Sequence, residues 1–471
     1  HRDLHSFPTR RSSDLNVLFI VCDQLCLDAI SGYKPYFTDP AWGCHWVDTP
    51  NLDRMISNGT SFLLSHSVNP VCSPARSCLF TGRMAIETGV TRNVVGIDRE
   101  VPNLGQWFAA HTDHRSIYCG KWHAGGNWCN AELTGPRQIP GFEAIPTANS
   151  DGQVQDYEIS TSIAALIRNW QESRPFFAVA GLHNPHDICY YSKWLSGDVL
   201  TPPDDIFGLG EKRPILPPNY NYNFPEPAPN RYTLFEEEQW RNYLYQYFRM
   251  VEWLDADVGR LLKAVDERDD DTLVVFTSDH GEGCGRHQRV QKWHPYDESM
   301  KVPLVFYWPG HIQQGLVDES HLACGVDIAS TLCDYFDIPE VPNARGSSLR
   351  PLLEGRAEGG WRDNVYSEFQ YTGRMIRTQR YKYVMRYEYS GQEDAPFVRV
   401  SDGAATQFEP GRGTDYRVMP QKLLFDMVED PWERHNLISE AGYAEIIADH
   451  ERILRDEWEA RLIPGVHFDR N

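Results

Sequence analysis

The chain has 471 residues and a formal net charge of −21 at pH 7. That balance speaks against a nucleic-acid or anionic-membrane partner, and no apolar run reaches the roughly 18 residues of a membrane-spanning helix. Hydrophobic residues make up 41% of the chain, with 14 Trp, enough for a substantial core, and the length suits a large domain with a smaller one. Eleven cysteines fall in no regular spacing and form no CxxC pair, so they define neither a disulfide framework nor a zinc site.

The first fifteen residues, HRDLHSFPTRRSSDL, stand apart. Asp3–Leu15 resembles the conceptual translation of a sequencing adaptor, so residues 1–15 are expected to be a non-native tail and are set aside. Localisation is not written in the chain. A periplasmic or secreted protein is favoured if a signal preceded Asn16, and a cytoplasmic one otherwise. Asn16–Cys22 (NVLFIVC) reads as a buried parallel strand that ends at Asp23. A helix start follows at Thr49–Met55. Next comes Asn69–Arg83, NPVCSPARSCLFTGR. Here Ser73 is expected to cap a helix and Pro74 to occupy its first turn. Cys72 then lies just before a helix N-terminus, where backbone donors favour an anion.

Tyr118–His123 (YCGKWH) closes another strand-to-helix unit. Pro175–Leu182 (PFFAVAGL) is a second buried strand, running into His183-Asn184-Pro185-His186-Asp187. Residues 190–232 are rich in Pro, Tyr and Asn and read as a long surface excursion. Tyr190, Tyr191, Trp194, Tyr220 and Tyr222 there suit either sugar stacking or packing under the loop. Phe235–Val265 carries apolar residues at helical spacing, from Trp240 and Leu244 to Val258 and Leu261. Thr272–Ser278 (TLVVFTS) is a third buried strand, delivering Asp279-His280-Gly281-Glu282. Strands that alternate with helices and end in polar residues indicate an α/β fold. Beyond Gly359-Gly360, short strands at 364–368, 375–378, 381–389 and 422–426 and a helix over 441–462 indicate a small second unit.

Cys72-Ser73-Pro74-Ala75-Arg76, with Thr81-Gly82-Arg83 after four intervening residues, resembles the signature C-x-P-[SA]-R…T-G-R of the formylglycine-dependent sulfatases. So do GKWH at 120–123, the DHG at 279–281, QKWHPYDESMKVPL at 291–304 and LLFDMVEDPWERHNL at 423–437. The resemblance runs from Asn16 to the end. It implies an alkaline-phosphatase-like α/β fold, with a large, mostly parallel sheet, helices on both faces, and a small C-terminal antiparallel sheet with a helix. It also implies a catalytic domain over 16–360 and a C-terminal subdomain over 361–471.

The resemblance further implies that Cys72 is oxidised to formylglycine by a maturation enzyme, with Arg76 beside it. Asp23, Gln24, Asp279 and His280 are then the ligands of a divalent cation, Ca²⁺ or else Mg²⁺. Many members have Asp at the position of Gln24 and Asn at that of His280, so metal identity is less fixed than metal presence. Lys121 and Lys292 are the sulfate-binding lysines, and His123 is the base beside the formylglycine hydroxyl. His186 is the expected general acid, with His183 its neighbour and competitor. Lys301, at the family's Arg position before Val302-Pro303, is expected to be structural. The implied substrate is a small or oligosaccharide sulfate ester. The alternatives are a phosphonate or phosphate ester hydrolase of the same superfamily, or a binding protein whose Cys72 is never matured. The motifs carry no signal about oligomeric state.

Overall fold

A computed structural model describes residues 14–93, 95–125, 139–147, 152–195, 213–221, 236–268, 270–357, 359–369, 373–386 and 422–462. The strands, in chain order, begin with β1 (Asn16–Asp23), β2 (Thr60–Phe62), β3 (Ser65–His66), β4 (Arg115–Gly120) and β5 (Glu143–Ile145). They continue with β6 (Phe176–Pro185), β7 (Thr272–Ser278), β8 (Leu304–Tyr307), β9 (Leu316–Asp318) and β10 (Ala323–Cys324). Strands β11 (Asn364–Phe369), β12 (Gly373–Thr378), β13 (Tyr381–Arg386) and β14 (Lys422–Asp426) complete the set.

The apolar run of β1 puts it at the centre. Every residue of β1 is buried, and it pairs in parallel with β6 on one side and β7 on the other. The large sheet has the order β5-β4-β6-β1-β7-β8-β2-β9. In it β8 alone runs antiparallel to its neighbours. Side chains alternate across β1. Leu18, Ile20 and Cys22 join one core with the helices Pro50–Asn58, Gly152–Arg168 and Glu237–Asp266. Val17, Phe19 and Val21 join another with Cys72–Thr81, Leu104–His111 and Asp327–Tyr335. Helices therefore cover both faces, as expected for a parallel sheet.

Glu237–Asp266 extends one residue past the expected helix. It buries Trp240, Leu244, Tyr247, Val251, Leu254, Val258 and Leu261. At roughly 1.5–3 kcal/mol per fully buried large apolar side chain, that stripe outweighs differences in helix propensity. A second, antiparallel sheet of order β11-β12-β13-β14 packs with the helix Ala444–Arg452. Strand β12 starts at Gly373, two residues before its expected start, and residues 387–389 of the expected third strand lie outside the described residues. Leu15, inside the stretch expected to be a tail, is buried, and its carbonyl accepts from His114 Nε2 at 2.8 Å. No helix among the described residues is long and apolar enough to cross a membrane.

Candidate active site

Parallel strands deliver their chemistry at their carboxyl ends, and the groups marked in the sequence gather there. Asp23 ends β1, Asp279 and His280 follow β7, Lys121 and His123 follow β4, and His183 and His186 lie at the end of β6 and just beyond. Cys72 is the first residue of its helix, Cys72–Thr81, and Arg76 lies one turn in. Val71 precedes the helix without a side-chain cap. Ser73 is therefore not the cap expected from the sequence. It is the second helical residue, and its N–H donates to Asn93 Oδ1 at 3.0 Å. Pro74 is the third residue of the helix, still within the first turn, where a missing N–H leaves no bond unmade.

Gly120 explains the glycine of GKWH. Its φ is +100°, and a Cβ there would lie 2.3 Å from the Gly181 carbonyl oxygen. The close approach lets the Lys121 N–H donate to that oxygen at 2.8 Å, while its ammonium pairs with Asp23 Oδ2.

Asp23, Cys72, Asp279 and His280 are all buried, and their ligand atoms lie within 4.8 Å of one another. His280 Nε2 is 3.2 Å from Cys72 Sγ, and Asp23 Oδ1 is 3.8 Å from it. Arg76 is completely buried. Its Nε donates to Asp279 Oδ2 at 2.8 Å and one terminal nitrogen donates to the Lys121 carbonyl at 2.7 Å, so it pins two strand ends together. Lys292 Nζ donates to Gln24 Oε1 at 2.5 Å and lies 3.8 Å from Asp23 Oδ1.

The charges shape one another. Burial opposes ionisation of Asp23, but Lys121, His186, Lys292 and His280 hold its carboxyl well below the usual range. Burial and the Asp23 charge oppose ionisation of Cys72. Lys292, Lys121 and His280 outweigh both, so its thiol is held well below its usual range. Burial lowers His123, with the neighbouring Cys72 working the other way. Burial and then Lys121 push both His183 and His186 well below the ordinary histidine value. The two rings share one electrostatic environment. His183 is buried within β6, and His186 is half-buried just beyond it.

Gln24 adopts φ +74°, and its N–H donates to Asp279 Oδ1 at 3.2 Å. Its amide is held by Glu282, a residue that sequence reasoning left without a role. Glu282 Oε2 accepts from Gln24 Nε2, while Glu282 Oε1 accepts from Tyr243 Oη at 2.6 Å and the Gln291 N–H at 2.5 Å. Tyr247 Oη donates to the Gln24 carbonyl at 2.9 Å. Helical spacing marks Tyr243 and Tyr247 as core and is silent about what their hydroxyls reach.

Of the candidate sugar-stacking rings, Tyr191 is buried 6.2 Å from Tyr243, and Tyr220 packs edge-on against Trp240. Tyr190 is 51% exposed. The side chain of Trp194, and all of Tyr222, lie outside what is described.

The family model described as Sulfatase matches residues 16–338. One described as N-sulphoglucosamine sulphohydrolase, C-terminal, matches residues 285–395. A Delta 4,5-hexuronate-2-O-sulfatase of Bacteroides thetaiotaomicron is 28% identical over 470 residues, covering 94% of this chain and 88% of its own length. A solved 2-O GAG sulfatase shares the fold with a TM-score of 0.73 at 25% identity, covering 95% of this chain and 92% of the other. The phosphonate monoester hydrolase of Agrobacterium radiobacter has a TM-score of 0.71 at 21% identity, covering 95% and 96%, a likeness of fold alone.

Proposed function

The chain belongs to the sulfatase family, and from that premise we propose how its residues hydrolyse a sulfate ester and on what kind of substrate. It is a sulfuric ester hydrolase. The substrate class we infer is a sulfated carbohydrate, because the similar proteins include a hexuronate 2-O-sulfatase and a protein solved with D-glucosamine-2-N,6-O-disulfate.

Cys72 is the nucleophile position. Matured to formylglycine, it supplies a hydrated aldehyde, with one hydroxyl to attack sulfur and a second whose deprotonation expels sulfate. The observation that carries this reading is the setting of Cys72: at a helix N-terminus, 3.2 Å from His280 Nε2 and held toward its anion by Lys121 and Lys292. A structural cysteine in an apolar pocket has its thiol pushed up, as Cys78 does in the same helix.

Lys121 and Lys292 bind the sulfate oxygens and spread their charge. His186 protonates the departing alcohol oxygen. His123, whose ring lies close enough to Cys72 to feel its charge, takes the proton of the second hydroxyl. Arg76 is a positioning residue, since its guanidinium is spent on Asp279 and two backbone carbonyls.

The donors fit a divalent cation. Asp23 and Asp279 offer carboxylate oxygens and His280 a ring nitrogen in one buried cluster, and the buried Gln24 beside Asp23 offers an amide oxygen. An oxygen-rich set suits Ca²⁺, with Mg²⁺ as the alternative. When bound, such an ion supplies Lewis-acid polarisation of the sulfate group.

The test is mass spectrometry of the Cys72 peptide after co-expression with a formylglycine-generating enzyme, followed by assays on matched aryl sulfate and aryl phosphonate esters. The expected outcome is the mass of formylglycine, a preference for sulfate, and no turnover in a folded Cys72→Ala variant. Full activity in Cys72→Ala would overturn the mechanism.

A further inference from the structure

A second cavity, of about 710 Å³, lies apart from the Cys72 site and shares none of its residues. It is walled by the loop after β1, by Lys301 just before β8, and by the second sheet through Arg377 on β12 and Trp432 beyond β14. Leu64 and Glu319, just past β2 and β9, also line it. Strands β1, β7, β2 and β9 run in one direction, so the cavity and the active site lie at the same edge of the sheet. Strand β2 is three positions from β1, which at about 4.8 Å per strand sets the two on the order of 15 Å apart.

Ion pairing in this cavity is uneven: its lining holds five carboxylates and four cations, of which Arg380 pairs with Asp426 at 2.8 Å. Lys382 takes the carboxylates of Asp297, at 2.5 Å, and Glu433, at 2.8 Å. Arg286 pairs with Asp28, and His287 with Glu298 at 3.0 Å. The other lining carboxylates, Asp39 and Glu319, are exposed and solvated. Arg377 and Lys301 are left without a carboxylate in ion-pair contact among the described residues. Arg377 is 3% exposed. Its guanidinium donates to the carbonyl of Thr378, the next residue in the chain, and its Nε has no partner. The Lys301 ammonium lies over the Phe37 ring, 5.5 Å from its centre. Asp297 acts on both cations, and Glu433 on Arg377, from beyond ion-pair distance, and an anion in the cavity would supply the direct contact they do not make. Trp42 and Trp432 stack at 3.9 Å in the wall, with the Arg286 guanidinium 5.3 Å from each ring centre.

We propose that this cavity is a second anion site, in which Arg377 and Lys301 hold a sulfate or carboxylate group carried on a saccharide ring that rests against Trp42 and Trp432. A guanidinium and an ammonium suit a planar or tetrahedral oxyanion, and an aromatic wall suits a sugar face. The saccharide half rests on the proposed carbohydrate substrate, whereas the anion half stands on the unpaired cations alone. Lys301, expected from the sequence to be structural, acquires a ligand here. The site would anchor an acidic unit of a chain whose sulfate ester lies at Cys72.

The experiment compares the wild type with Arg377→Gln and Lys301→Gln; the second changes a half-buried position and remains informative if the first does not fold. Sodium sulfate should raise the Tm of the wild type and of Cys72→Ala, and both cavity variants should lose at least half of that shift. On a sulfated tetrasaccharide each variant should raise KM about tenfold with kcat unchanged, while nitrophenyl sulfate kinetics stay within twofold. Full sulfate protection in both variants overturns the anion site. Lost protection with an unchanged tetrasaccharide KM overturns the saccharide half and leaves a site for a free anion. A wild type that is inactive on every carbohydrate sulfate fails the functional reading, while the sulfate-protection arm still decides the cavity.

Discussion

At the scale of single residues, Gln24 shows how one substitution within a family pattern creates a dependence elsewhere. An aspartate offers two equivalent oxygens, whereas a glutamine must be turned so that oxygen, not nitrogen, faces the ion. Glu282 does the turning, because its Oε2 accepts from Nε2, leaving Oε1 toward Lys292. Glu282→Gln should weaken Ca²⁺ binding about 10–100-fold, the usual cost of losing a partner that orients a ligand, as read by calorimetric titration. Adding Gln24→Glu to that variant should recover affinity, since a carboxylate needs no orientation and the new amide at position 282 would donate to it. Unchanged Ca²⁺ affinity in Glu282→Gln would remove Glu282 from the site.

The two histidines of the β6 end separate by leaving group. Both are pushed toward the neutral form by burial and Lys121, so a proton on His186 comes with the bound sulfate anion, which offsets the lysine charges. A sugar alcohol needs that proton far more than a nitrophenolate does. His186→Ala should therefore lose at least about a hundredfold more kcat/KM on a sugar sulfate than on nitrophenyl sulfate, with no such contrast in His183→Ala. Equal losses on both substrates would make His186 a sulfate ligand, and a selective loss at His183 would transfer the role to it.

At the scale of elements, what was legible followed burial. Strands β1, β6 and β7 are continuous apolar runs because helices cover both their faces, and such runs announce themselves in sequence. The three-residue strands β2 and β9 are too short to carry a period, and nothing local told that β8 would run antiparallel. The polar residues at the strand ends were legible as a set through their motifs. Glu282 was not, because its meaning depends on Gln24, 258 residues away. Ser73 is not a cap because the helix already begins at Cys72, one residue earlier.

The seam between the large sheet and the second sheet offers a pH test. Glu368 on β11 is buried, accepts the Ile86 N–H at 3.1 Å and faces Arg374 across the ladder. Burial, with Glu87 adding to it, raises its carboxyl to about 7 despite Arg374. A folded-state value above the unfolded one means the folded protein binds the proton more tightly. The stability this contributes is complete below about pH 4.5 and is lost as pH rises through about 7, up to about 3 kcal/mol. Glu368→Gln should match the wild type near pH 5 and be more stable near pH 8, with a higher Tm there. A variant that is less stable at both pH values would show that Glu368 works as an ionised partner of Arg374.

At the scale of the whole molecule, the site inverts the charge of its protein. The chain carries −21, yet around Cys72 the cations Arg76, Lys121 and Lys292 gather, in ion-pair contact with Asp23 and Asp279 among the described residues. A divalent ion adds two more positive charges at the one place where an anionic substrate must bind. Its four expected ligands come from β1 and from the segment after β7, strands adjacent in the sheet but about 255 residues apart in sequence, so the site exists only in the folded chain. An ion that binds only the folded state adds RT ln(1 + [M]/Kd) to stability, about 2.7 kcal/mol at a hundred times Kd. For a domain of 150–250 residues one kcal/mol moves Tm by about 2–4 °C, and by less in a longer chain. Ca²⁺ at millimolar concentration should therefore raise the Tm of chelator-treated protein by about 3–5 °C. Asp279→Asn should lose most of that rise, because it removes one of the two charged ligands and the partner of Arg76 together. The readout is unfolding, not turnover, so it is independent of whether Cys72 has been matured. A Tm indifferent to Ca²⁺ and Mg²⁺ would mean that the buried charges are balanced without an ion, with Lys121 and Lys292 as the lasting partners of Asp23.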